Sequence, residues 1–300
     1  MFIIKNKIFF LSLSIALVLA SFTSIAIFGL KPGIDFRGGA IVNVVYTNTV
    51  PDTNTIRDAA KTLGLGDVTV QPAGDKEIIV KTKPLSEQDR PLLAQVLSGK
   101  GEFPYTEKSF NAIGPSISKD LTTKSILAII LVSFCIIIFI TIAFKAVSKP
   151  VASWKYGLVS IVTLLHDIII PAGLYAFLGW KFGAEVDTLF VVALLTIIGI
   201  SISDTIVIFD RIRENLTKKL SQSFEEVVGK SLSQSFTRSI NTSMTSIIVL
   251  TALFFFGPEP TKWFALTLAT GMFVGTYSSI FVASPLLTIV EKMQKDKSIN

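Results

Sequence analysis

Six stretches of the chain stay apolar for about 20 residues, enough to cross the hydrocarbon core of a bilayer as helices: about 8–29, 125–144, 156–178, 189–209, 240–257 and 264–287. The fifth is the shortest and most polar. Between the first and second, the pattern changes to short runs separated by turn residues. Ala40–Tyr46 is β-branched and apolar and predicts a strand. Asp52 or Thr53 can cap a helix running to Leu63, with Ile56, Ala59, Ala60 and Leu63 at helical spacing and Gly64 and Gly66 ending it. Asp67–Gln71 and Glu77–Thr82 predict two strands joined by a turn around Gly74-Asp75. Ser86 opens a second helix to Leu97, with Glu87 and Asp89 in its first turn. Gly99 and Gly101 end it, and Glu102–Asn111 predicts a last strand. The order β-α-β-β-α-β suggests a small α+β ferredoxin-like sandwich. The predicted fold class is therefore an α-helical polytopic membrane protein with six transmembrane helices, plus this small domain after the first helix.

Composition agrees. Of 300 residues, 50% are hydrophobic and only 17% charged, and the mean hydropathy is +0.61. These values exclude a soluble enzyme and any large disordered region. The first apolar run follows Lys5 and Lys7, so a signal peptide is a rival reading. The run exceeds the usual span of roughly 7–15 residues, and Ser24-Ile25-Ala26 is a poor cleavage site, which favours an uncleaved anchor. The basic residues are distributed asymmetrically. One set of segments holds Lys5, Lys7, Lys145, Lys149, Lys155, Arg211, Arg213, Lys218, Lys219, Lys230, Lys292, Lys295 and Lys297. The short loops of the other set hold only Lys181 and Lys262, beside Glu185, Asp187 and Glu259. The positive-inside rule then puts both termini in the cytoplasm and the segment 31–124 outside it. The expected layout is a first helix in 1–30, an external domain in 31–124, a five-helix bundle in 125–290 and a cytoplasmic tail in 291–300. Within the bundle, 211–235 reads as a cytoplasmic amphipathic segment, with Phe224, Val227, Val228 and Leu232 on one side lying along the membrane surface. The net charge of +6 belongs to cytoplasmic loops on this reading, not to nucleic-acid binding.

Much chemistry is absent. There is no G-x-x-x-x-G-K-[ST] phosphate loop and no H-E-x-x-H. His166-Asp167 resembles a metal phosphohydrolase dipeptide, but such sites need several histidines and this chain has one. Cys135, the single cysteine, is expected to pack within its apolar run. No catalytic residue, cofactor or metal is expected, and the chain is not read as an enzyme. Any work it does must draw on a partner or an ion gradient.

The informative residues are ionisable groups within the spans, where a charge costs several kcal/mol. Asp167 is near the middle of the third span, Asp204 lies in the fourth, and Arg238 opens the fifth. Arg238, Asn241, Thr242, Thr245 and Ser246 fall on one helical face, and Thr196, Gly199, Ser203 and Asp204 cluster similarly. If these faces meet, they form a polar path in which Asp204 is a protonatable relay and Arg238 its counter-charge. A nearby guanidinium favours the ionised carboxylate, whereas loss of water favours the neutral acid. The plainer reading is that the two only hold helices together. Asp167 can equally be a hydrogen-bonding residue beside His166. Asp210, Arg211, Arg213 and Glu214 read as a solvated helix end. Gly271 and Gly275 form a G-x-x-x-G pair, extended by Ser279, that suits close helix packing.

Three segments carry a family resemblance. Gly33-Ile34-Asp35-Phe36-Arg37-Gly38-Gly39, just after the first span, resembles the signature of the SecD/SecF protein-export family. Ser203-Asp204-Thr205-Ile206-Val207-Ile208-Phe209-Asp210-Arg211-Ile212-Arg213-Glu214-Asn215 and Ser235-Phe236-Thr237-Arg238-Ser239-Ile240-Asn241-Thr242-Ser243 resemble two more of its motifs. Ser203 stands where relatives often have Asn or Ala. The resemblance implies a member of the resistance-nodulation-division superfamily in the bacterial cytoplasmic membrane. It implies pairing with SecD, association with the SecYEG channel and a YajC-type accessory subunit, and use of the proton-motive force late in polypeptide translocation. It assigns proton transport to Asp204 and Arg238 and lets the external domain assist the emerging unfolded chain. Locally, Asp35 and Arg37 read as a turn-fixing pair at the membrane surface, and Gly38-Gly39 as a tight turn into the strand from Ala40. The rivals are a small-molecule or lipid exporter half of the same superfamily, and a non-transporting scaffold.

Overall fold

The structure, a computed structural model, describes residues 2–65, 68–144, 151–218, 221 and 223–299. The expected positions Gly66, Asp67, Lys145, Lys149 and Lys219 lie outside the described residues, as do the side chains of Lys295 and Lys297. The chain divides into two compact units, Pro32–Ile126 and the residues before and after it.

Helices α1 (Phe2–Lys5) and α2 (Lys7–Phe28) precede the smaller unit. That unit contains α3 (Ile34–Arg37), β1 (Gly39–Tyr46), α4 (Thr53–Thr62), β2 (Thr69–Pro72), β3 (Glu77–Thr82), α5 (Asp89–Ser98) and β4 (Tyr105–Ile113). The four strands form one sheet in the order β2-β3-β1-β4, and every neighbouring pair is antiparallel. Alternation along β1 buries Ala40, Val42, Val44 and Tyr46, and Ile78 and Val80 of β3 do the same. Ile56 and Ala60 of α4 and Leu93, Val96 and Leu97 of α5 complete this core.

Several boundaries differ from the sequence reading, most of all in the second helix and the last strand. The second helix starts at Asp89, not Ser86. The Asp89 carboxylate accepts from the Ser86 backbone N–H at 2.9 Å and hydroxyl at 2.8 Å, which spends Ser86 on the turn before the helix. Those bonds hold the Asp89 carboxyl below its ordinary range. The last strand starts at Tyr105 and runs on to Ile113, because it is set by pairing with the whole of β1.

Tyr46 ties sheet to helix: its hydroxyl donates to the Leu97 carbonyl at 3.0 Å in the buried core. Tyr46→Phe strands that carbonyl and is expected to cost about 1–2 kcal/mol, read by hydrogen exchange of β1 and α5 in the full chain. Burial, then the nearby Tyr105, pushes the Tyr46 phenol up to about 12. The unfolded phenol ionises near 10. Tyr46 therefore favours folding below pH about 10, and that contribution is lost as pH rises from about 10 towards about 12. Exchange protection in this unit should fall over that window in the wild type, and less so in Tyr46→Phe.

The larger unit consists of α1, α2, and the helical segments α6 (Pro115–Ala143), α7 (Ser153–Phe182), α8 (Thr188–Thr217), α9 (Phe224–Phe256), α10 (Lys262–Ser278) and α11 (Ser284–Ile299), with α6 entering from the smaller unit. A π turn, Ser279–Ala283, joins α10 to α11 as one apolar run. Six helical runs are long and apolar enough to span a bilayer. Their ends differ from the apolar limits in the sequence, because a helix continues through polar residues once nucleated. Thus α6 opens at Pro115, an N-terminal position where proline's missing N–H costs nothing. Likewise α8 extends to Thr217.

The largest difference concerns 224–235. It is not a separate surface helix but the first third of α9, capped by Ser223, which accepts from the Glu226 N–H at 3.3 Å. Phe224, Val227, Val228 and Leu232 do share one face, but that face packs into the bundle core with Ile4, Ile212 and Leu287. The chain itself supplies the apolar partner expected of lipid. Cys135 also departs from expectation: it is exposed on α6, not packed inside.

Helix α10 is central, packed against α7, α8 and α9, while α2 crosses α7. At that crossing a Cβ on Gly173 would come within 2.5 Å of the Ser21 Cα, and the Ser24 hydroxyl donates to the Gly173 carbonyl at 2.7 Å.

Candidate functional site: polar residues within the bundle

The stripe Gly271, Gly275 and Ser279 meshes with α8 in step. Gly271 lies against Ile197 and Gly275 against Ser201, where an added Cβ would sit 3.0 Å from the serine Cβ. Ser279 hydrogen-bonds Thr205 at 2.9 Å. Small residues four apart on α10 thus face residues four apart on α8, and the close approach brings hydroxyls together inside the bundle. The G-x-x-x-G pair is used within the chain.

Asp204 sits on α8 one turn beyond Ser201 and is half-buried. The Thr276 side chain of α10 and the Arg238 guanidinium of α9 both lie close enough to act on its carboxylate, and the Thr276 hydroxyl donates to the Met272 carbonyl at 2.9 Å. Thr276 also hydrogen-bonds Ser243 of α9. The Asp204 carboxyl is therefore the meeting point of α8, α9 and α10.

Arg238, Asn241, Thr242 and Thr245 do share one face of α9, and that face is exposed. Thr245 returns its hydroxyl to the Asn241 carbonyl at 2.7 Å, and Ser246 does so to Thr242 at 3.3 Å. On α8, Gly199 and Ser203 are exposed too. The two polar faces lie on packed helices but are open outwards rather than closed on each other. Arg238 lines a cleft of about 270 Å³ together with Asp210, Arg211, Arg213, Glu214 and Gln234. Arg211 pairs with Glu214 at 2.6 Å and Arg213 with Asp210 at 2.9 Å. Asn215, which ends this motif, is buried and donates to Ser231 at 2.8 Å and Gln234 at 2.9 Å, locking the end of α8 to the start of α9.

Asp167 stands apart from Arg238. It is fully buried at the middle of α7 and is hydrogen-bonded to His166 Nδ1 at 2.8 Å, to the Ser278 hydroxyl at 2.7 Å, and to Ser201. Sequence reasoning found Asp167, Asp204 and Arg238 but missed Ser201, Ser243, Thr276 and Ser278. The four-residue spacing of Gly271, Gly275 and Ser279 was the available signal, since it marks where α10 comes closest to α8.

In the smaller unit, Asp35 and Arg37 occupy the single turn α3, Asp35 partly buried and Arg37 exposed. Gly38 has φ 76° and Gly39 φ 149°. A Cβ on Gly39 would sit 2.5 Å from the Thr82 carbonyl oxygen. Two glycines are needed here for backbone angle and for space. Among the described residues, no group of His, Cys, Asp or Glu could hold a metal ion.

Six spans, a buried hydroxyl network and ionisable groups within the bundle define a multi-pass membrane protein with a polar interior. The chain belongs to the SecD/SecF protein-export membrane protein family: it matches the SecD/SecF C-terminal region over residues 94–293 and the SecD/SecF GG motif over residues 23–50. Curated relatives include the protein translocase subunit SecF of Thermobaculum terrenum, 39% identical over 95% of this chain and 92% of that protein. That of Anaerolinea thermophila is 34% identical over 96% and 94%. Among solved structures, the crystal structure of SecDF, a translocon-associated membrane protein from Thermus thermophilus, matches with a TM-score of 0.81 and 30% identity. That match covers 95% of this chain but only 38% of the SecDF chain, so this protein spans about two fifths of its length.

Proposed function

We propose that the chain is the SecF-type accessory subunit of the Sec export machinery in a bacterial cytoplasmic membrane. On this reading it couples proton movement to late steps of polypeptide translocation. Both termini are cytoplasmic, the smaller unit is a ferredoxin-like sandwich on the opposite side, and a SecD-type chain and a SecYEG channel are the partners. The observation that carries the reading is Asp204, a half-buried carboxyl that one hydroxyl and one guanidinium address from two neighbouring helices. Moving Arg238 relative to Asp204 changes the carboxyl's affinity for a proton, and a unit charge crossing the full field gains about 2.3 kcal/mol per 100 mV.

The open polar faces of α8 and α9 support a partner. Arg238, Asn241, Thr242 and Thr245 cannot face hydrocarbon cheaply, so a second chain with its own polar residues is expected against them. Affinity purification from membranes should bring a SecD-like chain along with this one. Arg238→Ala separates the relay from the scaffold reading. The relay predicts an assembled complex with at least a several-fold loss of gradient-dependent export. A complex that falls apart in the same membranes would favour the scaffold.

A further inference from the structure

Asp167 lies about 20 Å along α7 from either helix end, with no side-chain exposure. A lone carboxylate there costs several kcal/mol. Among the described residues, no lysine or arginine forms an ion pair with it. The groups that face the pair are few. From α8 come Ser201 and, a turn away, Asp204; from α10 come Ser278 and Tyr277, whose ring stacks on His166 with centroids 6.4 Å apart. From α2 comes Ser14, its hydroxyl 3.4 Å from the Tyr277 hydroxyl, which donates to the Phe10 carbonyl. The one charged residue of α2, Lys7, is engaged by Glu225 and Thr288.

The hydrogen-bond geometry accommodates an added proton at one position. Among the described residues His166 Nε2 is buried without a partner, so a hydrogen there would be stranded. His166 therefore carries its hydrogen on Nδ1 and donates it to Asp167 Oδ1. Oδ2 faces Ser201 and Ser278. The Ser278 oxygen lies 3.0 Å from the Gly275 carbonyl, so it can turn its own hydrogen there and accept one from Oδ2. A proton on Oδ2 leaves the pair uncharged and every buried N–H and O–H of the cluster bonded. The backbone is adapted at the same place. Pro171 has no N–H to give the Asp167 carbonyl, and Ser279 begins the π turn of the neighbouring helix.

We propose that the His166–Asp167 pair is a second proton-binding site at the middle of the bundle, with the proton held on Asp167 between His166, Ser201 and Ser278. It deepens the relay reading of Asp204 and rests on it only for what the proton is used for. The site shares its supports with the first: α8 and α10 supply Ser201 and Ser278 to Asp167, and α10 supplies Thr276 to Asp204.

Infrared spectroscopy of the purified full chain in lipid nanodiscs at neutral pH tests this. A protonated-carboxyl stretch, shifted by deuterium oxide, is expected in the wild type and in Asp204→Asn, and the component that Asp204→Asn retains should be absent in Asp167→Asn. Ser278→Ala, which removes only one hydroxyl, should move the band and covers the case in which Asp167→Asn does not reach the membrane. A band unchanged by either substitution, or no such band in the wild type, overturns the proposal. Should Asp204→Asn retain gradient-driven export while the Asp167 band behaves as stated, the Asp204 reading fails and the second site stands.

Discussion

Asp204→Asn is expected to abolish the stimulation of export by a proton gradient while the protein still assembles in the membrane. Asparagine keeps the shape of the side chain beside Thr276 and Arg238, so the junction of α8, α9 and α10 is preserved. On the relay reading, what disappears is the exchangeable proton, and with it the response to Arg238. The measurement is translocation of a secreted precursor into membrane vesicles carrying the full complex, with and without the gradient. The ratio of the two rates should fall to about one in Asp204→Asn, a loss of the entire gradient-dependent part. A ratio equal to that of the wild type would remove Asp204 from the relay. The comparison uses a ratio, so a lower amount of protein in the vesicles does not imitate the effect.

The second large effect is at the glycine pair. Gly39→Val should destabilise the smaller unit by about 3 kcal/mol or more, because two penalties coincide. The backbone at φ 149° disfavours any side chain, most of all a β-branched one. The new Cβ would also meet the Thr82 carbonyl at 2.5 Å and the Ile34 Cγ2 at 2.9 Å. Thr82 pairs with Ala40 and Gly39 with Ile113, so relief requires shifting β1 against both neighbours at once. Faster hydrogen exchange across β1, β3 and β4 in the full chain is the expected readout, with Gly39→Ala following in the same direction by a smaller amount. Protection equal to the wild type would show that the turn can relax without disturbing the sheet.

The spans were legible because a bilayer imposes length and apolarity together, and few other constraints produce such runs. Where helices end was less legible. Residues 210–217 are polar enough to read as a solvated helix end and 224–235 as a surface helix, yet both continue membrane helices, because hydrogen-bonded backbone does not require apolar side chains. The strands of the smaller unit were read from alternation, but the ends of β4 depended on its partner β1. In the bundle, the charged residues stood out singly. Their hydroxyl partners did not, since Ser and Thr in a helix can always return to a carbonyl four residues back, as Thr245 and Thr251 do. Only the packing of α10 on α8 distinguishes Ser201 and Ser278, which face Asp167, from those.

The toothed contact between α8 and α10 limits how the bundle can rearrange. With Gly271 against Ile197, Gly275 against Ser201 and Ser279 bonded to Thr205, sliding one helix along the other would break this register, so the pair is expected to move together. On the relay reading, displacement of Arg238 relative to Asp204 would then be taken up at the seam with α9. Compensating pairs of substitutions should accordingly be found across α8 and α10, while single changes along the outer side of α9 alter the stroke.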